Sequence, residues 1–259
     1  LLLAFCASWF CGNGKEPGKT FEWSNLPELP PATGEVKQAG LAGPFAGVHE
    51  DALLVAGGAN FPHLAPWRGG EKVWWDDVYV LQKDSDGKPN SDWLTSPRFE
   101  LPKPSAYGVT IPIAKGLLCI GGCDAERCHT DVLRLQWSRG ARELSIQRLP
   151  SLPRPLAFMA GAKVGEVIFL AGGKESMDGN ATRNFWALDL TEEEKPDGKL
   201  EWKELPAWPG QPRLLPLTAA QSDGENDCLF LFSGRNPRSG QPTELLFDTY
   251  KYDPRNSTW

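Results

Sequence analysis

Apolar and polar positions along this chain recur in a fixed order. An apolar run ends in a pair of small residues at Leu53-Leu54-Val55-Ala56-Gly57-Gly58 and again at Leu117-Leu118-Cys119-Ile120-Gly121-Gly122. It returns at Ile168-Phe169-Leu170-Ala171-Gly172-Gly173 and at Leu229-Phe230-Leu231-Phe232-Ser233-Gly234. Each run predicts a strand entering a tight turn. A stretch of small and apolar residues precedes each run, at 42–48, 105–111, 156–162 and 217–221, after a proline-rich entry. Small side chains suit an inner strand, where neighbouring sheets crowd toward an axis. A variable loop follows each glycine pair, and then a third strand is predicted at 77–81, 131–135, 185–190 and 248–252. A hydrophilic turn leads to an outer strand that carries Trp and ends in Leu-Pro, as in Glu201-Trp202-Lys203-Glu204-Leu205-Pro206. The alternation there fits a strand with one wet face.

The second small residues stand at 58, 122, 173 and 234. A period of roughly 50 residues with a glycine pair is the kelch signature, one propeller blade per repeat. The predicted fold is therefore all-β, a kelch β-propeller with about four blades present, at the low end for propellers. Phe21-Glu22-Trp23-Ser24-Asn25-Leu26-Pro27 is an outer-strand phrase standing before any inner strand. Such a strand would close a ring by completing another blade, which removes an exposed sheet edge. Asn256-Ser257-Thr258-Trp259 reads as the start of a fourth outer strand. On this reading the chain is part of a longer protein.

Composition narrows the rest. With 259 residues and 41% hydrophobic content the chain can hold one large all-β domain. A net charge of -6 argues against a nucleic-acid partner, which needs a basic face. The run Leu1-Leu2-Leu3-Ala4-Phe5-Cys6-Ala7-Ser8-Trp9-Phe10 is too short to span a bilayer. It resembles the apolar core of a secretory signal. The domain expectation is thus a signal remnant and linker at 1–20 and the propeller at 21–259, in an exported protein, periplasmic or secreted. Cys11 before Gly12 leaves a lipoprotein as an alternative. Cys119 and Cys228 fall inside apolar strands and read as small buried hydrophobes. Cys123, Cys128 and His129 share one loop but lack the fourth ligand that zinc wants, so no metal and no cofactor are expected. A Cys123–Cys128 disulfide is open if the protein is exported.

The phrases Ala42-Gly43-Pro44-Phe45-Ala46-Gly47-Val48, Gly57-Gly58-Ala59-Asn60-Phe61 and Ala106-Tyr107-Gly108-Val109-Thr110-Ile111-Pro112 resemble the N-acetylneuraminate epimerases, the kelch-type sialic acid mutarotases. Residues 243–254 with Ser257-Thr258-Trp259 resemble another blade of that family, in rotated order, as in its cyclically permuted branch. The resemblance implies six blades, a small sugar acid as partner, and interconversion of its anomers. It also implies that the blade with the family's essential Glu and Arg lies beyond Trp259, so no catalytic residue is assigned. Anomer exchange needs one group to take the anomeric proton and another to protonate the ring oxygen. The substrate carboxylate calls for Arg. Blade entries and the turns after the glycine pairs nominate Asn60, Tyr107, Arg154, Arg213 and Arg235 as lining residues. Glu175 and Arg183 resemble the family's essential Glu and Arg in spacing but sit in a different blade, and join them as lining candidates only. The alternative is a noncatalytic kelch module that binds a protein or a glycan.

Overall fold

The computed structural model describes residues 24–94 and 98–259. The apolar run at the start and Phe21-Glu22-Trp23 lie outside the described residues, as does the 1–20 segment expected to be a signal remnant.

Four antiparallel sheets follow one another along the chain. Blade 1 joins Phe45–His49, Ala52–Ala56, Asp77–Gln82 and Phe99–Glu100. Blade 2 joins Val109–Ile113, Gly116–Ile120, Val132–Ser138 and Glu143–Arg148. Blade 3 joins Ala157–Val164, Val167–Lys174, Phe185–Asp189 and Lys203–Glu204. Blade 4 has three described strands, Leu217–Ser222, Asp227–Phe232 and Thr249–Tyr252. After Tyr252 the chain turns, and Thr258 pairs antiparallel with Asp253, where the start of an outer strand is expected. The inner strands of successive blades touch, which sets the four sheets around one hub. This is a β-propeller arrangement, all-β as the repeat predicts.

Three apolar cores lie between blades. Leu54, Val80, Leu117 and Trp137 fill the first. Ile120, Leu156, Leu170 and Trp186 fill the second. Phe185, Trp208, Leu231 and Tyr252 fill the third. Burying each of these Leu or aromatic side chains contributes about 1.5–3 kcal/mol to holding neighbouring blades together.

The glycine pairs explain how blades meet. Gly57 and Gly58 both have positive φ, 63° and 98°, and the other pairs repeat this. The second glycine donates its N–H to the entry segment of the next blade. These bonds are Gly58 to Ser105 O at 2.8 Å, Gly122 to Leu156 O at 2.9 Å and Gly173 to Arg213 O at 2.9 Å. A Cβ at Gly121 would stand 2.3 Å from Leu156 O, so the close approach demands glycine. In blade 4 Ser233 takes the first position with φ 53°, and its hydroxyl donates to Leu246 O at 2.9 Å.

The outer tryptophans latch blades at the rim. Trp202 Nε1 donates to Pro150 O at 3.1 Å, and Trp259 Nε1 to Pro206 O at 2.8 Å. Trp93 Nε1 donates to Pro27 O at 3.1 Å. Leu26-Pro27 therefore takes, toward blade 1, the place that Leu149-Pro150 and Leu205-Pro206 take toward blades 3 and 4. Residues 24–30 carry no ladder bonds among the described residues. No helix among the described residues is long and apolar enough to cross a membrane.

Candidate functional site

The blade entries converge on the hub through four equivalent positions: Gly43, Tyr107, Phe158 and Leu215. All four have positive φ, at 62°, 62°, 60° and 52°. A chain of backbone bonds links them. Tyr107 N donates to Gly43 O at 2.8 Å, Phe158 N to Tyr107 O at 2.8 Å, and Leu215 N to Phe158 O at 2.7 Å. Three bulky side chains in this uncommon region store strain, of order 1–3 kcal/mol each. The gain is that side chains from successive blades are brought side by side. Tyr107 and Phe158 stack, with ring centroids 4.8 Å apart and planes 20° from parallel. Gly43 makes room, since a Cβ there would stand 2.6 Å from the Tyr107 ring.

Two cations lie over this stack. Lys72 Nζ is 4.3 Å from the Tyr107 ring centre and 4.9 Å from that of Trp74. It donates to the Tyr107 hydroxyl. Lys174 Nζ is 5.2 Å from the Phe158 ring centre and donates to Met177 O. Both have neutral hydrogen-bond partners, and Lys174 also lies near enough to Asp178 to help the Ser176 hydroxyl hold that carboxyl below its ordinary pKa. Attraction of a cation to a ring face is about 0.5–2 kcal/mol, so it places an ammonium without neutralising it. Cys123 and Cys128 are buried beside the aromatic stack. The Trp74 indole N–H is buried without a hydrogen-bond partner and lies near the Cys123 sulfur, a weak acceptor at best.

Beside Lys72 and Tyr107 an open cleft of about 430 Å³ runs along Leu41, Ala42, Asn60 and Phe61. The loop that carries Lys72 bounds it, through Ala65 and Pro66. Asn60 builds the wall. Its Nδ2 donates to Gly40 O at 2.8 Å, and its Oδ1 accepts from Trp75 Nε1 at 2.8 Å. Asn60 itself lies in the short strand Ala59–Asn60, and the left-handed turn falls on the two glycines before it.

Of the residues nominated from sequence, the structure places Asn60 and Tyr107 on this cleft. Arg154 and Glu175 meet at the seam between blades 2 and 3. There Arg154 Nε donates to Glu175 Oε1 at 2.8 Å, and its Nη2 reaches Asn184 Oδ1 at 3.0 Å and Glu204 Oε1 at 3.1 Å. Hydrogen bonding to Glu204, then to Glu175, holds the guanidinium above its ordinary pKa. Partial burial pushes the Glu175 carboxyl up, but hydrogen bonds from Asn184 and Arg154 outweigh it and hold that group below its usual value. Arg213 is fully buried at the next seam. Its Nη1 and Nη2 grip Asp248 at 2.9 and 3.0 Å, and it lies over Trp208 and Tyr250. Arg183 is exposed and reaches Trp208 O at 3.4 Å. The Arg235 side chain is exposed, while its backbone pairs with Leu214.

The seam pairs are a repeat in their own right. Asp77, Asp131, Asn184 and Asp248 each sit just before or at the start of a third strand, at the residue whose carbonyl accepts from the first residue of the small pair. Their side chains meet Thr33, Lys103, Arg154 and Arg213 from the segment entering the blade. Lys72, Lys174 and Phe158 were missed from sequence. Phe158 was legible by aligning Leu156-Ala157-Phe158 with Ser105-Ala106-Tyr107, and Lys174 by its place after Gly172-Gly173. Lys72 lies in the ribbon between Ala59–Asn60 and Val73–Trp74, whose counterpart in blade 4, Arg235–Asn236 with Glu244–Leu245, carries Thr243 rather than a lysine before its second strand. No group of three or more His, Cys, Asp or Glu among the described residues is placed to hold a metal ion.

The fold and hub cleft define a kelch-type β-propeller with its candidate site at the mouth of the axis. A solved structure titled "Structure of YjhT" matches with a TM-score of 0.62 at 13% identity, over 83% of this chain and 68% of that one. The family model for N-acetylneuraminate epimerase matches residues 13–146, just over half of the chain, and the chain belongs to that family. The N-acetylneuraminate epimerase of Yersinia enterocolitica is 34% identical over 141 residues, 51% of this chain and 34% of that protein. The Brucella melitensis protein of the same name is 36% identical over 135 residues, 48% of this chain and 32% of that protein. The match thus spans about a third of the length of these relatives.

Proposed function

We propose that this chain is part of a mutarotase that interconverts the anomers of N-acetylneuraminate, and that the hub cleft beside Tyr107 receives the sugar acid. The observation that carries the reading is Lys72 on the cleft, over the Tyr107 ring and bonded only to a neutral hydroxyl, in a chain of the epimerase family. An anionic sugar supplies the missing negative charge to Lys72, and its apolar ring face suits an aromatic wall. Asn60 holds the wall rigid through Gly40 and Trp75.

Anomer exchange removes the anomeric hydroxyl proton, breaks the ring C–O bond to give the ketone, protonates the ring oxygen, and recloses on the other carbonyl face. The Tyr107 hydroxyl already accepts from Lys72, so its own proton is free to be donated. Tyr107 is therefore a proton donor candidate at the cleft; the base is unassigned. The test follows freshly released α-N-acetylneuraminate by proton NMR, with the protein that contains this chain. Equilibration is expected to run faster than in buffer and to slow with Lys72→Ala. A rate equal to buffer overturns the reading.

A further inference from the structure

We propose that Cys123 and Cys128 are a disulfide-forming pair beside the hub, closed when the chain folds under oxidising conditions. The two residues face each other across an antiparallel bridge. Asp124 N donates to Arg127 O at 3.1 Å on one side, and His129 N donates to Gly122 O at 2.8 Å on the other. Those flanking bonds make Cys123 and Cys128 a non-hydrogen-bonded pair, the kind whose Cα atoms stand about 4.5 Å apart. That separation lies at the short end of the range a disulfide spans, about 4.4–6.8 Å. Both side chains enter one buried cluster with Ala157, under Tyr107 and Phe158. The loop between them is held in shape, because Asp124 Oδ1 accepts from the backbone of Glu126 and Arg127 at 2.8 and 2.9 Å. Little backbone movement is therefore needed for the bond to form.

Cys119 and Cys228 differ in kind. Both are buried inside apolar strands, at Gly116–Ile120 and Asp227–Phe232. Neither faces another cysteine across its ladder: Cys119 is opposite Thr110 and Leu133, and Cys228 is opposite Gln221. Burial also pushes the Cys123 thiol up to about 12, so exchange through its thiolate is slow in the folded protein, and oxidation during folding is the efficient route. The oxidant is a small disulfide such as oxidised glutathione. One cysteine attacks it and releases one glutathione thiol, giving a mixed disulfide; the second cysteine then displaces the other glutathione. Two thiols and one glutathione disulfide become one protein disulfide and two glutathione thiols.

Peptide mapping tests this without reference to any activity. The full chain is refolded in a glutathione redox buffer, trapped with an alkylating agent and digested with trypsin, which cuts at Lys115, Arg127 and Arg134. Peptides 116–127 and 128–134 are expected as one cross-linked species that separates on reduction. Cys123→Ser and Cys128→Ser should each abolish the link, and Cys119→Ser should keep it. Recovery of both peptides fully alkylated from the oxidising refold overturns the proposal. So does a link that survives Cys123→Ser through Cys119.

Discussion

Arg213 and Lys72 are both cations set over aromatic rings, yet their surroundings make them opposite in kind. Arg213 is fully buried, gripped on two nitrogens by Asp248, and further bound to Ser233 O at 2.8 Å. Its charge is spent within the fold. Lys72 borders an open cleft, and its hydrogen bond goes to a neutral hydroxyl. Its charge remains available to a ligand. A basic residue near a propeller hub is therefore no evidence of a binding site until its partners are known. The seam arginines and the mouth lysines serve different ends of the same architecture.

The sharpest way to break the contrast is Arg213→Ala. It removes a fully buried guanidinium and its packing on Trp208 and Tyr250, while Asp248, about a third exposed, keeps the Tyr250 hydroxyl; the loss should be about 2–3 kcal/mol in urea unfolding. A loss under 1 kcal/mol would mean that the seam does not depend on the clasp. Next in size is Gly121→Ala, which forces a Cβ against Leu156 O at a left-handed position and should cost about 2 kcal/mol. Ser233→Gly, at the equivalent turn in blade 4, should change stability by about 1 kcal/mol at most, the loss of one hydroxyl bond. Equal effects at the two sites would remove the argument from inter-blade crowding. Lys72→Ala should leave the melting temperature nearly unchanged and weaken sugar-acid binding roughly tenfold, by calorimetry. A large melting shift would make Lys72 structural, like Arg213.

The smallest effect is in the pH dependence. Asp248 is held below its ordinary pKa by hydrogen bonding from Arg213, and Glu175 below its own by Asn184 and Arg154 once burial is overcome. A depressed carboxyl adds stability that is full above its unfolded pKa and is lost as pH falls through the folded value. Stability should thus decline as pH drops below about 4.5, and Arg213→Ala should flatten the Asp248 part of that decline. An acid limb unchanged by the substitution would detach Asp248 from the clasp.

Much of the fold was legible because its cause is local. The glycine pairs announce a left-handed turn wherever they occur, and the apolar runs before them announce strands. The resemblance carried by Gly57-Gly58-Ala59-Asn60-Phe61 agrees with the family match. The site was harder. Asn60 and Tyr107 come together at the cleft, but Arg154 and Arg213 read from sequence just like ligand-binding arginines. Their partners Asn184 and Asp248 lie 30 and 35 residues away. Nothing in the local pattern says whether a guanidinium will be met.

The order of residues by itself determined the strands, the blade period, the paired turns and the family, since each follows from short-range periodicity and backbone freedom. Only the tertiary structure decided which charges are satisfied. It set Tyr107 on Phe158 across a blade boundary, brought Lys72 over that stack from the ribbon after the first glycine pair, and sealed Arg213 behind Trp208. Those outcomes depend on contacts between distant segments, and a charge is free or spent according to what the folded chain places within hydrogen-bonding reach.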